Sequence, residues 1–544
     1  MTTPGLRDFV LEAPTGEEPA EDLPAAAFAA LSQAFTLTAQ AGASLGGVRR
    51  RTWLDTFDWR LYRAGLMLEF EQARQGGRLL LSQADGTPQA EQPVTGWPPR
   101  RPALDLPPGP VRDRIMVLIR PRALLPIVRA SSTVSVTRLL NADGKTVARL
   151  VAEHITVTAV AASPTAASPT AAGTAELPLR LTITEVRGYP GQARRASTLL
   201  AGVPGVSSAS QGVFTAALTA LGRHPADYTS GVDAEVTASM PASVAVARLL
   251  LRLLDTLKQN VDGVLRDIDT EFLHDLRVAV RRSRSAIKLL GEVLPADLAG
   301  HYAAEFKWLG DLTTPTRDLD VHLLGFDSMT AQLVAASPAD LEPLRAFLVR
   351  RRAREFRRLA AALRGPRFRA ITDDWRKVLL EIRDTGASPR RRREPPAAEL
   401  ALRTTERAFR RIAAHGAAIT ADSPPESLHD LRKRAKELRY LLEFFASLHD
   451  PVAYRKVVGE LKSLQDCLGD FQDSQVQREE IHTLADAMLA ERAAPAATLL
   501  AMGEIAAKLT LSQTEARADF ARRFARFAGP AGQERIRVLL EGRP

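Results

Sequence analysis

The stretch FLHDLRVAVRRSRSAIKLL at residues 272–290 returns as SLHDLRKRAKELRYLLEFF at residues 427–445, and this recurrence decides the fold of the C-terminal part. From Phe272 to Ser427 the offset is 155, and it holds without a gap on both sides. Upstream it pairs Arg248 with Arg403, Arg252 with Arg407 and Glu271 with Glu426. Downstream it pairs Glu305 with Glu460, Lys307 with Lys462, Leu309 with Leu464, Asp311 with Asp466, Asp318 with Asp473 and Val321 with Val476. Two unrelated Arg-rich helices would not keep one register over about 70 residues with identities at polar positions, so the region is an internal duplication. Apolar residues recur every three or four positions through 244–266, 271–291, 340–364, 398–415, 426–447 and 453–490. That period predicts helix, and the duplication predicts two similar helical bundles facing each other across a local twofold axis.

Placing the first copy at 100° per residue gathers His274, Arg277, Arg281, Arg284 and Lys288 within an arc of roughly 80°. Leu276, Val280, Ser283, Ile287 and Leu290 take the opposite side. The second copy repeats the division, with His429, Arg432, Lys436 and Arg439 set against Leu431, Ala435, Leu438, Leu442 and Phe445. One face packs and the other presents cations about 5–6 Å apart along the helix, a spacing suited to phosphates on an extended chain. The second helix is expected to start on a capping box, with Ser423 as cap, Pro424 at the first helical position and Glu426 three residues on.

A row of this kind is either a solvated surface or an anion contact. Its repetition in both copies, with a histidine at the same place, favours contact. Asp275 and Asp430 are expected to lie to the side of the row and leave it unneutralised. A histidine alone is more often a structural hydrogen-bonding group, but in this row His274 and His429 are each read as a phosphate contact. Arg248 with Arg252, Arg403 with Arg407, and the pair Lys307 and Lys462 extend the candidate set. Arg351, Arg354 and Arg358 form a weaker third row. Asp318, Asp320 and Asp473 either cap helices and hold arginines in place or bind metal, and the first reading is preferred.

The totals agree with an anionic partner. The chain has 544 residues, 73 Lys+Arg against 63 Asp+Glu, a net charge of +10, and cations that are mostly Arg. Guanidinium matches phosphate oxygens with a donor fork and stays charged at any working pH. Such a length predicts at least two domains. The first 200 or so residues read as strand with some helix, with β-rich runs at 131–140, 151–160 and 179–186. A Gly, Pro, Ser, Thr and Asp-rich stretch marks the boundary, giving a first domain at 1–225, a linker at 226–242 and the duplicated helical domain at 243–530. A twice-written SPTAA at 163–172 reads as a loop, 86–110 as an irregular Pro- and Gly-rich region, and the RRRR run at 390–393 as a solvated linker. One cysteine, Cys467, excludes a disulfide framework and a multi-thiolate zinc site, and fits a reducing compartment. Without a signal-type start or a run of about 18 apolar residues, a cytoplasmic protein with no membrane partner is expected.

The motifs LHDLRVAVRRSRS, RDLDV, LHDLRKRAKELRY and LQDCLGDFQD resemble the CHAD family over about 240–530. The resemblance implies two pseudo-symmetric four-helix bundles around a basic pore or cleft that binds inorganic polyphosphate. His274, Arg277, Arg281, Arg284, His429, Arg432, Lys436 and Arg439 fall on the family's motif positions. Localisation at polyphosphate granules is a further implication of the family. WLDTFDWRLYRAGLMLEFE at 53–71 resembles the strand, Asp-Thr turn, helix and Gly-Leu strand of the CYTH family, a triphosphate tunnel. Here the chain departs from the pattern. TPGLRDFVLEAP lacks the E-x-E-x-K motif, Glu69 and Glu71 replace basic residues, and LRLTITEVRG retains only Glu185.

The expected fold is therefore an α+β domain, a degenerate CYTH-like barrel, followed by an all-α domain. The expected function is polyphosphate binding without catalysis, cofactor or metal. An inorganic triphosphatase or polyphosphatase and a nucleic-acid-binding protein are the alternatives. The repeated faces carry almost no aromatic residues, with only Tyr440 near one edge, which disfavours single-stranded nucleic acid.

Overall fold

The computed structural model describes residues 8–11, 23–39, 48–96, 101–102, 105–160, 173–386 and 394–541. The SPTAA repeat, the RRRR run, parts of TPGLRDFVLEAP and parts of the 86–110 region lie outside the described residues. The chain divides into two compact units, Met1–Thr229 and Ser230–Pro544.

The first unit is an antiparallel sheet with helices. Its elements are β1 (Asp8–Leu11), α1 (Leu23–Ser32), β2 (Thr36–Ala39), β3 (Val48–Asp55), α2 (Arg60–Arg63), β4 (Leu66–Gln72), β5 (Gly77–Gln83) and β6 (Pro88–Val94). There follow β7 (Arg101–Pro102), α3 (Pro110–Ile119), β8 (Ala123–Leu140), β9 (Thr146–Ala159), β10 (Thr174–Glu176), β11 (Leu179–Glu185), α4 (Pro190–Ala201), β12 (Val206–Ser208) and α5 (Val213–Ala220). The main ladder runs β12-β1-β11-β9-β8-β3-β4-β5-β6, and among the described residues no pairing joins its two ends. Period-2 alternation gives each strand two unlike faces. On one face Leu54, Leu68, Phe70, Leu79 and Leu81 pack under α3, and farther along that same face Leu139, Leu150, Leu181 and Ile183 pack with α1 and α4.

The Asp-Thr turn is built around Asp55. Its carboxylate accepts from the amides of Thr56 at 2.7 Å, Leu61 at 2.9 Å and Tyr62 at 2.9 Å, tying the end of β3 to α2. Burial pushes this carboxyl up to about 6, against those three amides. Gly65, at φ 74, then turns the chain into β4, a conformation that glycine adopts without a Cβ penalty.

The second unit is all helical. It comprises α6 (Ala242–Leu265), α7 (Thr270–Leu290), α8 (Ala296–Thr330), α9 (Glu342–Arg364), α10 (Pro366–Thr385), α11 (Ala397–Ala417), α12 (Pro425–Phe444), α13 (Pro451–Ala490), α14 (Ala496–Ala528) and α15 (Pro530–Glu541). The starts of α6, α7 and α8, advanced by 155, fall on the starts of α11, α12 and α13. Each copy supplies five helices. Where α9 stops before Gly365, α14 runs on to Ala528, so the fourth and fifth helices lose the common register.

Equivalent residues also meet each other. Pro241 bridges Pro396, the Ala242 amide donates to the Pro395 carbonyl at 3.0 Å, and the Ala397 amide donates to the Met240 carbonyl at 2.7 Å. Ala242 corresponds to Ala397 and Met240 to Pro395, so these two bonds exchange the copies. The second copy has its own core, in which Leu431, Ala435, Leu438 and Leu442 pack with Leu461, Leu464 and Phe527. Helices α8 and α13, at 35 and 40 residues, reach beyond their own copies. Their distal residues Leu319, Phe326, Ile481, Leu484 and Met488 share a core with Leu344 and Phe347 of α9 and Met502 and Ile505 of α14.

The expected start of α12 needs correction. Its N-cap is Pro424 and makes no side-chain cap bond, while the Ser423 hydroxyl accepts from the Thr420 amide at 2.9 Å. The consecutive prolines explain the shift, because Pro425 takes the first helical position, where a missing N–H costs nothing. By contrast, α7 is capped by Asp269, whose carboxylate accepts from Glu271 at 2.9 Å.

Candidate anion-binding site

The apolar stripes of α7 and α12 point inward as the period requires. Leu276, Val280, Ser283, Ile287 and Leu290 are buried, as are Leu431, Ala435, Leu438, Leu442 and Phe445. With those faces committed to the cores, the cationic faces are turned out of them, and part of each row meets in one place. A cavity of about 520 Å³ is lined by His274 and Arg281 of α7 together with Arg432, Lys436 and Arg439 of α12. Arg282, which sequence reasoning left out of the row, lines it as well.

Arg281 and Lys436 are counterparts at the offset of 155. Neither side chain makes a hydrogen bond or ion pair among the described residues, and they repel each other across the cavity. Burial, reinforced by Arg432 and Arg281 and only partly opposed by Asp473, pushes the Lys436 ammonium down to about 8. Burial likewise pulls Arg277 below its ordinary value, against the attraction of Asp318, and its Nη1 donates to the Thr314 hydroxyl. Like charges held together at partial burial raise the free energy of the empty site and favour an anion that neutralises them.

The remaining members of the row are held by partners. Arg432 donates to Asp473 at 3.0 Å. Arg439 donates through Nε to Glu443 at 2.7 Å, and Arg282 donates to the same carboxylate at 2.7 Å. Nδ1 of His274 accepts from Arg317 at 3.0 Å, an arrangement that leaves Nε2 as its donor. At the corresponding place Nδ1 of His429 stands 2.6 Å from the Gln472 amide oxygen and donates to it. Arg317 and Gln472 are themselves counterparts. Each histidine thus has a structural hydrogen bond on one ring nitrogen. Both holders lie 43 residues after their histidine, so the repeat register was the signal that could have found them.

The cavity is not purely basic, which corrects the expected position of one aspartate. Asp275 is buried and lines it, joined by Asp466, Asp470 and Asp473 along one face of α13. Only Asp430 lies aside, paired with Lys433 at 3.2 Å. An acidic face of α13 therefore stands against an α7 and α12 side that is mostly cationic but also carries Asp275, and Asp473 holds Arg432 in place. Among the described residues no group of three or more metal-ligating side chains is assembled. Asp320, considered above as a metal ligand, accepts from Arg352 at 2.7 Å, and Arg352 also grips Asp267 at 2.6 Å and 2.7 Å.

Several other candidates stand elsewhere. Lys288 bridges to Glu437 at 2.5 Å and lines a separate cavity of about 450 Å³ with Arg407. Arg248 and Arg252 line a third, shallow cavity with Arg383. Arg403 pairs with Glu292, and Lys307 pairs with Asp311 at 2.7 Å. Lys462 and Arg284 are exposed, and Arg354 and Arg358 lie against Glu355. The structure therefore gathers part of the predicted set and scatters the rest.

The helical unit has similarities among known proteins. Residues 248–482 match the CHAD domain. The CHAD match takes in α7, α8 and α12 whole, and hence every helix of the cavity except the end of α13. Among solved structures, the CHAD domain from the plant Ricinus communis is 24% identical, covering 58% of this chain and 96% of that one with a TM-score of 0.42. PptA from Streptomyces chartreusis is 17% identical, covering 52% and 99% with a TM-score of 0.41. The uncharacterized protein Rv2226 of Mycobacterium tuberculosis, strain H37Rv, is 30% identical over 252 residues, which is 43% of this chain and 44% of the relative. The chain thus spans less than half the length of that curated relative. Among the described residues no helix is long and apolar enough to cross a membrane.

Proposed function

We propose that the helical unit binds inorganic polyphosphate, or a linear phosphate polymer of the same chemistry, in the cavity between α7, α12 and α13. The observation that carries this reading is the meeting of Arg281 with Lys436: equivalent positions of two copies, in one cavity, neither side chain in an ion pair among the described residues. Arg432, Arg439 and the Nε2 side of His274 extend the contact, and Arg277 and Arg284 continue the α7 row beyond the cavity. The two copies then act as halves of one cleft related by a local twofold axis. A ligand of phosphates alone suits a lining in which, among the described residues, Tyr440 is the sole Phe, Tyr or Trp, since nucleic acid asks for stacking platforms.

The first unit, in this reading, keeps a CYTH-like local plan without a tunnel chemistry. Its polar face is internally neutralised. Arg49 pairs with Glu71 at 2.6 Å, Arg78 with Glu71 at 2.6 Å, Arg51 with Glu153, and Arg180 with Asp8 at 3.1 Å. Glu69 and Glu71 thus occupy arginines that a triphosphate would need. The domain is read as non-catalytic, in a protein that works in the cytoplasm and associates with polyphosphate granules.

The deciding experiment titrates the full chain with long polyphosphate and with single-stranded and duplex nucleic acid at equal phosphate concentration and physiological salt. Polyphosphate is expected to bind more tightly, and the Arg281→Gln/Lys436→Met variant is expected to lose most of that binding. Tighter nucleic-acid binding, or a folded double variant with unchanged affinity, would overturn the reading.

A further inference from the structure

The two faces of the β4-β3-β8-β9 ladder differ in charge in a way that polyphosphate binding by the helical unit does not explain. Register fixes which residues share a face. Gln72, Arg50, Ser131 and Thr156 form one cross-strand row, and Phe70, Thr52, Arg129 and Thr158 form the next. Arg49, Arg51, Glu69, Glu71 and Glu153 belong to the opposite face, where the ion pairs described above close on one another. On the first face no acid appears. The side chains of Arg50 and Arg129, with that of Arg74 in the turn after β4, are exposed and make no hydrogen bond or ion pair among the described residues. All three border one cavity of about 790 Å³, which no acidic residue lines.

The cavity is of a size that holds small organic ligands. Its floor is apolar, made by the buried residues Phe70 and Pro126, and its sides offer the hydroxyls of Thr52, Ser131 and Thr158 with the Gln72 amide. Three guanidiniums supply forked donors for a dianionic oxyanion. Hydroxyl and amide groups both donate and accept, which suits a polyol. From this juxtaposition we infer that the cavity on the uncompensated face binds a small phosphorylated sugar or polyol, with the phosphate against Arg50, Arg74 and Arg129 and the hydroxylated carbon skeleton over the Phe70 floor. The site is independent of the helical cavity, since it shares no residue with it.

The test uses the full chain carrying Arg281→Gln and Lys436→Met, so that the helical cavity contributes no binding, and titrates it calorimetrically with glucose 6-phosphate, glycerol 1-phosphate, glucose and inorganic phosphate. At least one of the two esters is expected to bind tenfold or more tightly than inorganic phosphate, and glucose alone not at all. Adding Arg50→Gln and Arg129→Gln should weaken the ester by at least tenfold while the unfolding temperature stays unchanged, because both side chains are exposed. Restoring the charge with Arg129→Lys should recover part of the affinity. Absence of ester binding, ester binding no tighter than inorganic phosphate, or affinity that survives the double substitution in a folded protein would each overturn the assignment.

Discussion

Arg282 and Glu443 meet at 2.7 Å between the two copies, and neither stands at the other's repeat position. The counterpart of Arg282 is Glu437 and that of Glu443 is Lys288, and those two residues form the second bridge at 2.5 Å. The first pair is mostly sheltered, with side-chain exposures of 13% and 16%, whereas Lys288 is 70% exposed. Glu443 therefore carries more of the contact between copies, and it also holds Arg439 at the rim of the cavity.

Replacing Glu443 with Gln leaves the sheltered Arg282 guanidinium without its carboxylate. Stability is expected to fall by about 3 kcal/mol. Glu437→Gln should change it by less than about 1 kcal/mol, because the Lys288 partner is solvated. Urea unfolding of both variants measures the difference, and equal losses would contradict this division.

Polyphosphate affinity should depend on pH through Lys436. The ammonium is pushed down to about 8, so it is charged below that pH and neutral above it. Affinity is expected to fall as pH rises through about 8, with proton uptake on binding near that pH, detectable by calorimetry in two buffers. Lys436→Arg should remove the decline, since guanidinium does not titrate there. For folding the sign is reversed: between about 8 and the ordinary 10.5 the unfolded chain holds this proton more tightly, so the group's contribution to stability rises with pH.

Salt provides a separate check on Arg281 and Lys436. Each phosphate contact on a single-stranded polyanion adds about 0.7 to the slope of log affinity against log salt. Arg281→Gln/Lys436→Met should flatten that slope by about one to two, while far-ultraviolet circular dichroism stays unchanged. A weaker affinity with an unaltered slope would mean that these cations touch no phosphate.

The opposite faces of the same helices should respond in the contrary way. Leu276 and Leu431 are fully buried, and an aspartate at either place would bury a charge without a partner. Leu276→Asp or Leu431→Asp is expected to abolish cooperative thermal unfolding. The milder Leu431→Ala should cost about 2–5 kcal/mol. A Leu431→Asp protein that unfolds like the parent would show that the stripe is not the packing face.

Much of the helical unit was legible because duplication writes the same instruction twice. The identities around His274 and His429 set a register that the helix starts obey through α8 and α13. What the period could not show was the environment of each cation. Lys288 shares an arc with Arg281, but it ends beside Glu437 because α12 passes the end of α7 there. Asp466 and Asp470 look like ordinary solvated positions of α13 until tertiary packing brings them to the cavity wall. In the first unit the runs at 131–140, 151–160 and 179–186 carried the strand signal. The ion pairs that neutralise the face bearing Glu69 and Glu71 join residues far apart in sequence, and no local pattern announces them.

The crossed bridges between copies also bear on whether one half can stand in for the other. Two identical chains with the first copy's sequence, docked as these copies are, would bring Arg282 against a lysine at the position of Lys288, twice over. The second copy's sequence would set glutamate against glutamate. Neither half could therefore form this contact as a homodimer without repulsion. Both attractive pairs require two diverged versions of the repeat, which this one polypeptide supplies, so at these positions the two halves are complementary in charge and not interchangeable.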